Sequence, residues 1–228
     1  MSQPTSNNPV EKKDLTSNKP VVDKYANTTA IGIFASAFTT MMFNVRNIGW
    51  TEMSLAIAAV AFCVGGIVQL VGGIFELKRG NTFYGTRFVV MSGFWMSLVF
   101  LWGLFPGMGG IFGEGNISPD HYPYSTINDG SAMGVYFLLW SLIVAVFFVC
   151  SFKFSVVTRI AMGAIAVLLF LLSIHFFTGV LGVRIAAGIF GIIGAGVGFY
   201  AAAGILINHE FKRNILPLGY KPKKLDDE

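Results

Sequence analysis

Residues 65–95 read GGIVQLVGGIFELKRGNTFYGTRFVVMSGFW, and this stretch decides the fold. It begins in an apolar run that ends at Phe75. It then crosses Glu76, Lys78, Arg79, Gly80, Asn81 and Thr82, with Arg87 just beyond, and becomes apolar again at Phe88. In lipid every backbone polar group has to be satisfied within its own segment, so two long apolar runs joined by so short a polar stretch predict a tight transmembrane helical hairpin. The basic residues of the turn mark its cytoplasmic side, with Glu76 and Arg87 at the inner rim.

Outward from the hairpin, the chain repeats the pattern. Of its 228 residues, 54% are hydrophobic and 12% charged, about half the charged share of a soluble domain. Such a chain cannot cover a water-facing surface. The expected fold is all-α: a polytopic six-transmembrane-helix bundle with spans near 28–48, 53–75, 88–105, 134–149, 160–177 and 185–207. Of the 16 Lys and Arg, only Arg46 and Arg184 fall in the loops opposite the hairpin turn. Six spans with both termini cytoplasmic satisfy the positive-inside rule. Residues 1–26 read as a disordered cytoplasmic tail without a signal-peptide pattern. Residues 27–210 read as the transmembrane domain, with 106–132 as an extracytoplasmic loop, and 211–228 as a cytoplasmic tail. The net charge of +4 is spread over loops and tails, which indicates topology rather than nucleic acid. Cys63 and Cys150 sit in apolar runs and read as packing residues, not as a disulfide or metal framework.

The spans hold almost no ionisable residue at mid-depth. There is no P-loop, no Ser–His–Asp arrangement and no His/Cys cluster at metal spacing, so neither catalysis nor a cofactor is expected. Gly32, Ser36 and Thr40 recur every fourth residue on one helix face, a stripe that suits either helix packing or a pore lining. Gln69 is a lone amide in an apolar span, read as interhelical glue or as a pore-lining donor. His175 reads as a helix-end histidine before a proton relay. The sixth span carries Gly188, Gly191, Gly194, Gly196, Gly198 and Gly204, which permit close backbone approach. A narrow, mainly neutral path for a small hydrogen-bonding solute follows.

Gly65, Gly66, Ile67 and Gln69, then Gly73 and Glu76, then Gly80 to Phe83, Thr86, Phe88, Phe94 and Trp95 resemble the acetate uptake transporter family of succinate–acetate permeases. Asn27, Gly32, Thr39, Thr40, Asn44 and Asn47 match its opening segment, although both prolines of that signature are absent. The ending Asn208, Phe211, Arg213, Leu216, Pro217 and Gly219 also matches. Ile205 stands where the family often has Glu. The resemblance implies one pore per protomer, a homohexamer in the lipid bilayer of the plasma membrane, and passage of acetate and related short monocarboxylates, with succinate as an extension. Flux would be passive or proton-linked. The family's aromatic and aliphatic constriction falls on Ser36, Met91 and Ile165. Gln69, Asn81, Thr82 and Trp95 join the implied substrate path, and Asn27, Gly32, Thr39 and Thr40 form its opening signature. Ser36 and Met91 replace two aromatic side chains, which predicts a wider or more adaptable constriction. Some eukaryotic members are linked to ammonia export, so ammonium or ammonia transport is one alternative. A non-transporting membrane adaptor or sensor is another.

Overall fold

The computed structural model describes residues 26–102 and 130–220. The N-terminal tail up to residue 25, the loop 103–129 and the last eight residues lie outside the described residues, as do the expectations placed on them.

Among the described residues, six helices of at least 19 residues form the fold: α1 Thr29–Asn47, α2 Leu55–Lys78, α3 Thr82–Leu101, α4 Gly130–Cys150, α5 Val156–Thr178 and α6 Leu181–Glu210. The same residues contain no strand. Helices α2 to α6 are each long and apolar enough to cross a membrane. Thr39, Thr40, Asn44, Arg46 and Asn47 keep α1 out of that group. Short caps and glycines set the ends. The Asn27 side chain accepts from the Thr29 N–H at 3.0 Å, and Ser155 accepts from Thr158. Gly80 turns the hairpin at φ 80°, and Gly179 closes α5 at φ 71°, conformations that cost glycine little.

The hairpin turn is shorter than its polar residues suggest. α2 runs on to Lys78 and α3 starts at Thr82, so only Arg79, Gly80 and Asn81 lie between them. Glu76 and Arg87 are therefore helical residues, and both are buried. Both sit at the turn end of the hairpin, as expected, but are turned into the bundle rather than toward water. A polar side chain near a helix end can turn inward, and sequence polarity does not reveal that direction.

Helices α1, α2 and α3 pack on one another, α5 packs on both α4 and α6, and α1 against α6 joins the two groups, with a smaller contact of α3 on α4. Middle turns of α2, Ala61–Val68, are widened to π geometry. There Gly65 admits α3: a Cβ on it would lie 2.7 Å from the Trp95 ring. The bundle buries polar side chains within a largely apolar core and presents apolar ones outside. Ser36, Thr40, Asn44, Asn47, Gln69, Glu76, Arg87 and Thr158 are buried, whereas Leu139, Leu142, Val146, Val149, Ile189 and Ile193 are exposed. Exposed apolar and buried polar side chains together suit a lipid surround. Cys63 and Cys150 are exposed on the outside of the bundle rather than packed in it, because each lies on an outward face of its helix.

The chain after α6 folds back beneath α5. The Asn208 carboxamide accepts from the N–H groups of Ile215 and Leu216 and donates to the Leu216 carbonyl. The Gly219 carbonyl accepts from Val156 N–H at 3.1 Å, and Leu218 is buried against Gly204. The ending motif is thus a structural clasp.

Candidate functional site

Two regions of space lie along the middle of the bundle, separated by an apolar belt. The first is a vestibule of about 210 Å³ at the end where α1 and α3 finish. Arg46, Asn47, His175 and Arg184 supply its polar groups, and Phe43, Leu98, Phe137 and Leu172 its floor. Among the described residues that line it there is no carboxylate. Its polar edge is fixed by bonds on α1: Asn47 Nδ2 donates to Asn44 Oδ1 at 3.0 Å, and Asn44 Nδ2 donates to the Thr40 carbonyl at 2.7 Å. His175 Nδ1 donates to the Val180 carbonyl at 3.0 Å, a bond that orients the ring at the end of α5.

Phe43 packs on Trp95 and Trp102, with ring centroids 5.9 and 5.7 Å away. Phe94 lies edge-on to Trp95 and Phe137. These rings are nearly completely buried and close the vestibule floor. The described residues that form the belt carry no charged side chain.

Beyond the belt, Ser36, Met91 and Ile165 line one cavity with Thr40, Arg87, Val144, Phe147 and Met162. The family alignment thus joins three residues from α1, α3 and α5 that also meet in space. A second cavity shares Ser36, Thr40, Arg87 and Ile165 and continues along α6 past Gly194 and Gly198. Each holds about 10 Å³, room for roughly one water molecule. The space is narrower than the loss of two aromatic side chains suggests. Arg87 is the residue that sequence reading misses, because its polarity groups it with the turn. Its spacing to Met91, i to i+4, is the available signal: the two share one face of α3.

Toward the hairpin turn from these cavities, Tyr84 is buried. Its hydroxyl lies 3.1 Å from Thr158 Oγ1, which lies 2.8 Å from Ser155 Oγ. The Tyr84 ring is set between Phe88 and Phe154. Below it, the buried Glu76 carboxylate accepts from Thr28 N–H at 2.9 Å, Thr28 Oγ1 at 2.8 Å, Arg79 at 3.1 Å and Asn81 Nδ2. This cluster ties the start of α1 to the hairpin. Asn81 also caps α3 through Tyr84 N–H. Thr82 opens α3 at that end.

The remaining expected residues divide between helix packing and the central cavities. Gly32 admits the Phe88 ring, to which a Cβ would come within 2.2 Å. Thr39 donates to the Ala35 carbonyl and faces Gly65, whereas Thr40 lines both central cavities. Gln69 is fully buried between Gly65 and Gly72. Neither of its amide atoms, nor Trp95 Nε1, has a hydrogen-bond partner among the described residues. An unpaired buried amide costs about 1–3 kcal/mol. Gln69→Leu removes it at similar volume, so thermal stability is expected to stay level or rise while acetate uptake falls. Wild-type uptake by that variant returns Gln69 to packing alone.

The family model described as the GPR1/FUN34/yaaH family matches residues 12–218. Ammonia transport outward protein 2 of Saccharomyces cerevisiae is 36% identical over 188 residues, which are 81% of this chain and 63% of that protein. The succinate-acetate/proton symporter SatP of Escherichia coli K12 is 30% identical over 196 residues, 86% of this chain and 96% of the symporter. A solved structure of the bacterial acetate channel SatP matches with a TM-score of 0.75 at 30% identity, covering 86% of this chain and all of that one.

Proposed function

The chain belongs to the GPR1/FUN34/yaaH family, and from that premise we propose that it is a membrane transporter or channel passing acetate and related short monocarboxylates, with succinate among the solutes to test. It is an integral membrane protein of a transporter family. The observation that carries the substrate class is the charge along the path. Arg46 and Arg184 line the vestibule and Arg87 the central cavities, with no carboxylate among the described lining residues. A cleft lined by one sign of charge concentrates ions of the other sign. The same charges repel ammonium, so among the described residues that line the path none favours the ammonium reading over the carboxylate one. Nor does any favour an adaptor without flux.

The finer architecture belongs to the proposal too. At 19 residues, α1 is about 28 Å long, close to the hydrocarbon thickness of a bilayer. It supplies Ser36 and Thr40 to the central cavities and is read as a span as well, which brings the total to six. Each protomer then holds one pore, within a homohexamer of the plasma membrane. Lys78, Arg79, Lys153, Lys212 and Arg213 gather at the hairpin-turn end, so that end and both termini are read as cytoplasmic.

The test is flux into liposomes of a set of two- to four-carbon acids, wild type beside Ser36→Phe/Met91→Tyr. The double variant is expected to cut propionate and lactate flux several-fold more than acetate flux. If it lowers all of them equally, or none, the selectivity constriction does not lie at Ser36 and Met91.

A further inference from the structure

We propose that Arg87 is an anion-docking site midway along the path, where the substrate carboxylate pairs with the guanidinium before moving on. The inference rests on the proposed carboxylate transport and names the group that recognises the carboxylate.

Arg87 lies on α3, five residues past the start of the helix, and is 4% exposed. A guanidinium keeps its charge at neutral pH. Taking an ion out of water costs several kcal/mol unless a partner compensates. Among the described residues Arg87 forms no ion pair and no hydrogen bond, and its contact is with the Phe88 ring, 5.2 Å from the centroid. Glu76, the buried carboxylate nearest along the hairpin, is already engaged by Thr28, Arg79 and Asn81. The Tyr84 hydroxyl one turn away is engaged with Thr158.

What faces Arg87 is the pair of central cavities. It lines both, together with the side chains of Ser36 and Thr40. Neither of those hydroxyls is engaged by another described residue. A cationic fork and two free hydroxyls supply the donors one carboxylate needs, two parallel charge-assisted bonds from guanidinium and O–H donors for the remaining lone pairs, and because each cavity at rest holds about one water molecule the flexible Met91 and Met162 side chains have to shift to admit it. The apolar wall of Met91, Met162 and Ile165 would take a short alkyl group. A charged residue inside a membrane protein that faces its interior commonly marks the solute path.

The packing holds the guanidinium in place. Phe88, on which it rests, is fully buried and fills the space that Gly32 leaves on α1. The fixed charge favours the ionised acid over its neutral form and excludes small cations.

The test uses purified full-length protein in proteoliposomes, with labelled acetate as the probe and acetamide as its neutral counterpart. Wild type, Arg87→Gln and Arg87→Lys are compared for the acetate concentration that gives half-maximal flux. Loss of a charge-assisted bidentate contact predicts a rise of about tenfold or more in Arg87→Gln. Arg87→Lys, which keeps the charge without the fork, should fall between it and wild type. Acetamide flux should not drop in either variant. A folded Arg87→Gln with wild-type half-saturation for acetate overturns the site, as does an Arg87→Lys indistinguishable from Arg87→Gln. If Arg87→Gln does not fold, the thermal stability of the wild type decides. Acetate should raise it and acetamide should not, and equal effects overturn the site. Wild type that passes no acetate at all defeats the transport reading instead, which separates the two failures.

Discussion

Gly191→Ala is expected to destabilise the protein by about 3 kcal/mol, the upper end for forcing an added methyl group into a filled interior. A Cβ on Gly191 would lie 2.2 Å from the Asn44 carboxamide. Asn44 cannot swing aside. It is fully buried, donates to the Thr40 carbonyl and accepts from Asn47. Room for the methyl group would have to come from moving α6 off α1, and that packing joins the two halves of the bundle. Gly182→Ala is the matched control. It lies on the same helix, and a Cβ there would meet nothing within 4 Å. Replacing a helical glycine by alanine at such an open position is neutral or slightly stabilising. Melting followed by size-exclusion fluorescence should show a large drop for Gly191→Ala and none for Gly182→Ala. Equal melting temperatures for the two would mean that α1 and α6 are not packed this closely.

The second large effect is expected at Glu76. Glu76→Ala leaves the donors of Thr28, Arg79 and Asn81 without their shared acceptor, and breaking a buried charged cluster on one side costs about 3–5 kcal/mol. The carboxylate also sits at the start of α1, where negative charge complements the helix dipole. Glu76→Gln keeps one acceptor oxygen and most of the shape, so its loss should be intermediate. The same melts report the order: wild type, then Glu76→Gln, then Glu76→Ala. An unaltered melting temperature in Glu76→Ala shows that α1 is not tied to the hairpin through this carboxylate.

Glu76 and Arg87 also show how far the sequence is legible. Both are visible as polar residues next to a transmembrane turn, and the hairpin itself follows from the two apolar runs. Their inward direction does not, since it depends on which face α1 and α5 cover. The six helical segments are legible because apolar runs bounded by Gly, Asn and basic residues leave few alternatives. Ser36, Met91 and Ile165 are distant in sequence and come together only through a family alignment. The function of the closing motif is opaque for a related reason: Asn208 acts on Ile215 and Leu216 after the chain has turned back. The glycines of α6 read as close-approach sites, and Gly191 against Asn44 is such a site. Gly194 instead faces Ala164 and Ile165 of α5 within the protomer.

The central claim, that this path conducts small carboxylates, is tested most directly by uptake of labelled acetate and labelled methylammonium into the same preparation of proteoliposomes, with empty liposomes as the baseline. The account predicts saturable acetate uptake, inhibited by propionate, and methylammonium at baseline. Saturable methylammonium uptake with acetate at baseline would contradict it.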